Sequence, residues 1–101
     1  MKFSQIHSNI YMMEKKKIEA AVARIGQMEA IFDTLQKAAV RPDAVQRPVF
    51  RALLTQLVRY YEDGRWMEDY QLDEQGLLPR HLKRGVLSED GIYHFLEDLK
   101  S

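Results

Sequence analysis

Residues 18–39 read IEAAVARIGQMEAIFDTLQKAA, and this stretch decides the fold. Its apolar or small side chains recur at alternating intervals of three and four residues, which places them on one face of an α-helix. Charged residues, among them Arg24 and Glu29, occupy the other positions, and we expect them to face solvent. The pattern predicts a helix over residues 13–40, which Pro42 ends. The predicted core positions are Ile18, Ala21, Ile25, Met28, Phe32, Leu35 and Ala39.

A second helical pattern follows a short connector, residues 43–47. Pro48 suits the first turn of a helix, and Gly64 is a typical C-terminal stop, so we predict a helix over residues 49–62. Its apolar face carries Phe50, Leu53, Leu54, Leu57, Val58 and Tyr61. Because the connector is short, the two helices are predicted to pack as an antiparallel hairpin.

The remaining third of the chain has a weaker pattern. Residues 65–85 show no clean period and predict a short helix or turn, followed by an irregular segment that folds back over the hairpin. Ser88 precedes two carboxylates and is the predicted cap of a last helix. The predicted fold is therefore all-α: an antiparallel hairpin of two long helices plus a short irregular segment and a C-terminal helix. Residues 13–101 are expected to form one domain, with residues 1–12 as an N-terminal arm.

Composition narrows the classes of function. The 101 residues include 15 basic and 15 acidic side chains, so no overall charge attracts nucleic acid or anionic lipid. The chain contains no cysteine, which excludes a disulfide framework and a thiolate zinc site. The first residues are too polar for a secretory signal, and no stretch is apolar enough to span a membrane. We expect a cytoplasmic protein with no membrane association.

Candidate catalytic groups are scattered. The histidines His7, His81 and His94 lie in no motif with a nucleophile or a second imidazole. His94 shares one side of the last helix with three acids, Asp90, Glu97 and Asp98. A metal site, however, needs ligands from more than one element. Adjacent acids such as Glu68 and Asp69 point apart, and the glycines are isolated. The sequence therefore predicts no enzyme, no metal and no cofactor.

The densest aromatic group extends from Tyr60 to Tyr70. Such rings close small cores, and they are also enriched where proteins bind one another. A basic cluster, residues 80–84, follows in the irregular segment, and a second one occupies residues 15–17. Acids flank the cluster at residues 80–84, which weakens its attraction for phosphate. The predicted partner-binding residues are Tyr60, Trp66, Tyr70, Arg80, Lys83 and Arg84, with nucleic-acid binding through the basic clusters as the alternative.

Two sequence segments carry a resemblance to a known family. They read YYEDGRWMEDY over residues 60–70 and KRGVLSEDGIY over residues 83–93, with Leu78 and Pro79 between them. From about residue 13 onward the chain resembles a family of short bacterial proteins of unknown function. The resemblance implies a helical, cytoplasmic, bacterial protein and no particular activity.

The expected role is a small non-catalytic protein that acts through protein contacts, as an adaptor, a regulator, an immunity protein or a phage-type inhibitor. A homodimer is a further prediction. The helix over residues 13–40 spans roughly 40 Å, about twice the length of the helix that follows it, so the uncovered part of its apolar face must meet the C-terminal segment, a partner or solvent.

Overall fold

The computed structural model describes the backbone of residues 2–100 and the side chains of residues 12–100. This part of the chain contains no strand. Its elements are α1 (Lys2–Ala38), a 3₁₀ turn (Ala44–Gln46), α2 (Pro48–Glu62), α3 (Arg65–Glu74), a second 3₁₀ turn (Gly85–Leu87) and α4 (Gly91–Lys100). The molecule measures 64 × 22 × 22 Å. None of the helices in residues 2–100 has the length and apolar character to cross a bilayer. The predicted all-α fold is confirmed.

Helix α1 is the central element, and its predicted apolar face is confirmed. Five of the seven predicted core positions are buried, namely Ala21, Ile25, Met28, Phe32 and Leu35, and Ile31 joins them. Helix α2 folds back along this face and contributes Phe50 and Leu57 to the same core. Burial of such side chains stabilises each by roughly 1.5–3 kcal/mol, so α1 and α2 form the base on which the rest of the chain packs.

The chain begins α1 earlier than predicted. Its helical backbone starts at Lys2, so residues 2–12, expected as an arm, continue the helix without a break. Met1 and the side chains of residues 2–11 lie outside the described part of the structure. Residues 12–17 are exposed, because the core contacts of α1 begin only farther along the helix.

The corner between α1 and α2 follows the prediction closely. The connector holds a single 3₁₀ turn whose Ala44 is 3% exposed, and Pro48 is the first residue of α2. Pro48 fits there because the first helical residue needs no N–H donor. Helix α2 ends at Glu62, as predicted, and the chain turns at Gly64 with a φ of 97°, a left-handed conformation that glycine adopts without steric cost.

The C-terminal third packs against α1 and α2. It consists of α3, α4 and the segment between them, residues 75–90, which we call the strap. Both α3 and the second 3₁₀ turn, which lies in the strap, contact α1. They cover part of the α1 face that α2 leaves open. The predicted cap at Ser88 is wrong, because α4 begins three residues later, at Gly91. The Ser88 carbonyl instead accepts the Gly91 N–H in the turn that precedes α4.

Candidate functional site

The most distinctive polar feature is a carboxylate buried between three helices. Asp69 of α3 is completely buried, and its two oxygens face α1 and α2. Arg24 of α1 donates to both oxygens, with 2.9 Å between its Nε and Oδ2. The hydroxyl of Tyr60 on α2 donates to Oδ2 at 2.7 Å. We call Arg24, Tyr60 and Asp69 the buried triad, and it links α1, α2 and α3 through a single carboxylate.

Within the triad, the positive charge of Arg24 compensates the negative charge of Asp69. The hydrogen bond from Arg24 to Asp69 is the main reason that the pKa of Arg24 is raised above its ordinary value. Burial, followed by the hydrogen bond to Asp69, raises the pKa of Tyr60 far above its usual range. The phenol therefore keeps its proton at neutral pH and donates it to the carboxylate. Such a group is unsuited to general acid or base chemistry, which requires a pKa near the working pH.

The start of α3 explains why Asp69 reaches this position. The Asp63 side chain accepts hydrogen bonds from the backbone N–H of Arg65, at 3.1 Å, and from its guanidinium. These bonds lower the pKa of Asp63 below its ordinary value. The left-handed Gly64 lies between the two residues and lets α3 begin directly after α2. The tight turn directs one face of α3, with Trp66 and Asp69, into the core.

A second set of bonds attaches the strap to the helices. The indole N–H of Trp66 donates to the Val86 carbonyl at 2.8 Å, and the Val86 N–H donates to the Glu29 carboxylate at 2.7 Å. Leu78, Val86 and Leu87 are buried beside them. The backbone of Val86 is thereby held from two sides, by α3 and by α1.

Gly85 leaves the space that this attachment needs. A Cβ at this position would lie 2.9 Å from Oε1 of Glu29. Real Cβ atoms do not approach an oxygen so closely, so a side chain at Gly85 would displace the carboxylate that holds Val86. Because this oxygen is the end of a flexible side chain, Glu29 can move aside, and the cost of a side chain at Gly85 would be the weakened hydrogen bond to Val86.

Two of the six predicted partner-binding residues lie inside the molecule. Tyr60 is 0% exposed and Trp66 is 7% exposed. Tyr61 meets Trp66 edge-to-face and Tyr70 stacks on it, with ring centroids 5.4 Å and 5.0 Å from that of the indole. This burial corrects the predicted placement, since neither Tyr60 nor Trp66 offers a surface to a partner in this structure. Their hydrogen bonds explain it, because each ring reaches a buried acceptor.

The other four residues lie at or near the surface. The half-buried Tyr70 donates its hydroxyl to Glu89, and this bond raises the pKa of Tyr70 above its usual range. Arg84, also half-buried, donates to the Asp73 carboxylate and the Pro79 carbonyl. Arg80 and Lys83 are exposed and form no ion pair with the described part of the chain. Their partner-binding role stays a prediction.

Sequence reasoning missed three residues of these networks. Arg24 and Glu29 were expected to face solvent, and Asp69 was treated as one of two adjacent acids that point apart. A signal was available in α1, because Arg24 and Glu29 each lie three or four residues from buried positions and so border its apolar face. Residues at such a border have access to both solvent and the core.

All buried polar side-chain atoms of the described residues have hydrogen-bond partners. Within that part of the chain, no three histidines or acids are arranged to hold a metal ion. The polar groups that do converge are engaged in holding the fold together.

Comparison with known proteins places the chain in one family. No curated protein and no solved structure matches it. The model of one family matches residues 10–101, which is most of the chain and includes all four helices in whole or in part. The chain therefore belongs to the family described as "Domain of unknown function (DUF4298)".

Proposed function

We propose that this chain is a non-catalytic helical protein that binds another protein through the strap and the neighbouring Tyr70. The observation that carries the proposal is a contrast within the strap. Its inner side is fixed by Trp66 and Glu29, whereas the side chains of Arg80 and Lys83 are exposed and unpaired within the described residues. A fixed backbone presents these cations in a defined geometry, which lowers the entropic cost of binding.

The surface suits a partner with an acidic, partly apolar face. Leu77, at the start of the strap, is 47% exposed and adds apolar area to the same segment. Tyr70 adds an aromatic ring at the edge of the buried core. Aromatic rings and arginines are enriched at protein interfaces, and a small apolar area surrounded by charge is typical of them.

The internal networks support a non-catalytic role. The carboxylate of the buried triad accepts hydrogen bonds on both oxygens from within the chain and is inaccessible to solvent. The position of the strap depends on such networks, so their contribution to function is indirect. We propose that they keep the binding surface in shape, and we propose the cytoplasm as the compartment.

Nucleic-acid binding is the alternative, and the surroundings of the strap argue against it. Arg84 is neutralised by Asp73, and Glu89 lies beside Tyr70. These carboxylates reduce the positive potential that a phosphate backbone would require. On the strap, the exposed cations that remain, Arg80 and Lys83, are too few for strong phosphate binding.

Affinity capture with site-specific cross-linking from the strap tests the proposal. The Arg80→Glu/Lys83→Glu variant should lose a specific cross-linked protein that the unmodified chain captures. The charge-matched control Arg51→Glu/Arg59→Glu, on the exposed side of α2, should retain it. If the strap variant captured the same protein at an undiminished level, the proposed surface would be wrong. If the chain instead bound a generic duplex in a salt-sensitive way, and only the strap variant lost this binding, the result would favour the nucleic-acid alternative.

A further inference from the structure

A cavity of about 450 Å³ lies at the corner between α1 and α2, apart from the buried triad and the strap. The end of α1, the first 3₁₀ turn and the start of α2 line it, and it opens to solvent. Its apolar lining consists of Leu35, Ala38, Ala44, Val49, Phe50 and Leu53. The volume falls in the range of small-molecule sites, which are mostly apolar and contain a few polar groups.

The charged residues that line the cavity all have the same sign. They are Lys37, Arg41 and Arg47, and no carboxylate lines it. Asp33 pairs with Lys37 at 3.2 Å, and Asp43 pairs with Arg47 at 3.3 Å.

Arg41 differs from the other two cations. Its guanidinium has no ion pair or side-chain hydrogen bond with the described part of the chain. The cavity thus combines an apolar lining with one unpaired guanidinium, and this combination favours an anionic group over a cationic one.

The corner is held in shape before any ligand arrives. Pro42 and Pro48 fix φ on both sides of the 3₁₀ turn, and the buried Ala44 attaches that turn to the core. Val49, which lines the cavity, is 73% exposed, so apolar surface at the opening remains in contact with water. A ligand that covered this surface would gain the hydrophobic contribution without reordering the chain.

We infer that this cavity binds an aliphatic monocarboxylate, a small amphipathic acid with a single unbranched tail. The tail packs against Leu35, Phe50 and Leu53. The carboxylate accepts hydrogen bonds from the guanidinium of Arg41, whose planar fork matches a carboxylate in geometry. One unpaired cation calls for one negative charge, which distinguishes this ligand from a phosphate or a dicarboxylate.

Amide chemical-shift titration of the full chain tests the inference, with octanoate as the probe. Saturable shifts should cluster in residues 34–53. Acetate, which lacks the tail, and octyltrimethylammonium, which has the opposite charge, should leave these amides unshifted. Affinity should rise with acid length by up to about fourfold per methylene until the cavity is full. Amide shifts that do not saturate with octanoate concentration, or equal shifts with octyltrimethylammonium, would overturn the inference.

Two variants with matched controls locate the ligand. Arg41→Glu should weaken octanoate binding about tenfold, whereas Arg59→Glu on the exposed side of α2 should not change it. Ala38→Leu fills the cavity and should abolish binding, whereas Ala52→Leu adds the same side chain outside the lining. Unchanged amide shifts around Trp66 confirm that each variant is folded. Undiminished affinity in a folded Arg41→Glu or Ala38→Leu variant would contradict the assignment.

Discussion

Arg24 and Asp69 lie 45 residues apart in the chain and meet in a two-pronged ion pair whose carboxylate is completely buried. The pair joins α1 to α3, and Tyr60 brings α2 to the same carboxylate. A buried charge is tolerated only where it is paired and fully hydrogen-bonded, and Asp69 meets both conditions. The position of α3 therefore depends on this contact as well as on apolar packing.

Asp69→Asn should destabilise the fold by about 2 kcal/mol. The substitution keeps the size of the side chain, but it removes the negative charge that Arg24 and Tyr60 both face. Urea unfolding followed by circular dichroism measures the loss. The neighbouring Glu68→Gln is the control, since Glu68 is exposed and its change should stay within about 0.5 kcal/mol. Equal stability of the two variants would mean that the buried charge contributes nothing.

The helices could be predicted because their apolar positions repeat with the period of a helix. The core positions of α1 followed from intervals of three and four, and the prolines and Gly64 placed both ends of α2 within one residue. The predicted cap at Ser88 failed because Asp90, a residue type equally suited to a helix start, follows two positions later, and local pattern does not choose between Ser88 and Asp90. Helix α4 begins just after the second of these.

The buried networks could not be predicted in the same way. Tyr60 and Tyr61 both lie one helical turn beyond Leu57, and the sequence alone favoured Tyr61 as the inward ring. Tyr60 is buried because Asp69 accepts its hydroxyl hydrogen bond, and that partner comes from another helix. Contacts between Arg24 and Asp69, or between Glu29 and Val86, join residues far apart in the chain, whereas hydrophobic periodicity reports only on neighbours within one helix.

Stability should fall at high pH because of Tyr60. Its pKa is raised in the folded state, so the folded chain holds the proton while the unfolded chain releases it above about pH 10. The contribution of this proton is fully present below that pH and decreases as the pH rises beyond it. The unfolding free energy of the unmodified chain should decline more steeply than that of Tyr60→Phe, by at most about 1.4 kcal/mol per pH unit.

Unfolding curves of the two proteins between neutral and strongly alkaline pH measure this difference. Alkaline titration of tyrosinate absorbance gives an independent check, since Tyr60 should ionise only when the chain unfolds. Parallel stability curves, or a Tyr60 that ionises together with exposed tyrosines, would contradict the burial of its hydroxyl.

Gly85→Ala should act through Glu29. The new methyl group would displace the Glu29 carboxylate and weaken its hydrogen bond to the Val86 N–H, at a cost of about 1 kcal/mol. Glu29→Ala removes the same bond directly. The double variant should therefore cost less than the sum of the two single ones, and the Val86 amide should exchange faster with solvent in all three. Additive costs would show that Gly85 acts by another route.

The central claim is that the buried triad determines how α3 packs on the α1 and α2 pair. A double-mutant cycle between α1 and α3 tests this claim most directly. The cycle uses Arg24→Met and Asp69→Leu in a Tyr60→Phe background, so that no phenol is left without a partner. Urea unfolding should show that each single change lowers the free energy of unfolding by about 3 kcal/mol. The double variant should lose at least about 1 kcal/mol less than the sum of the two single losses. Losses that add within about 0.3 kcal/mol would contradict the account.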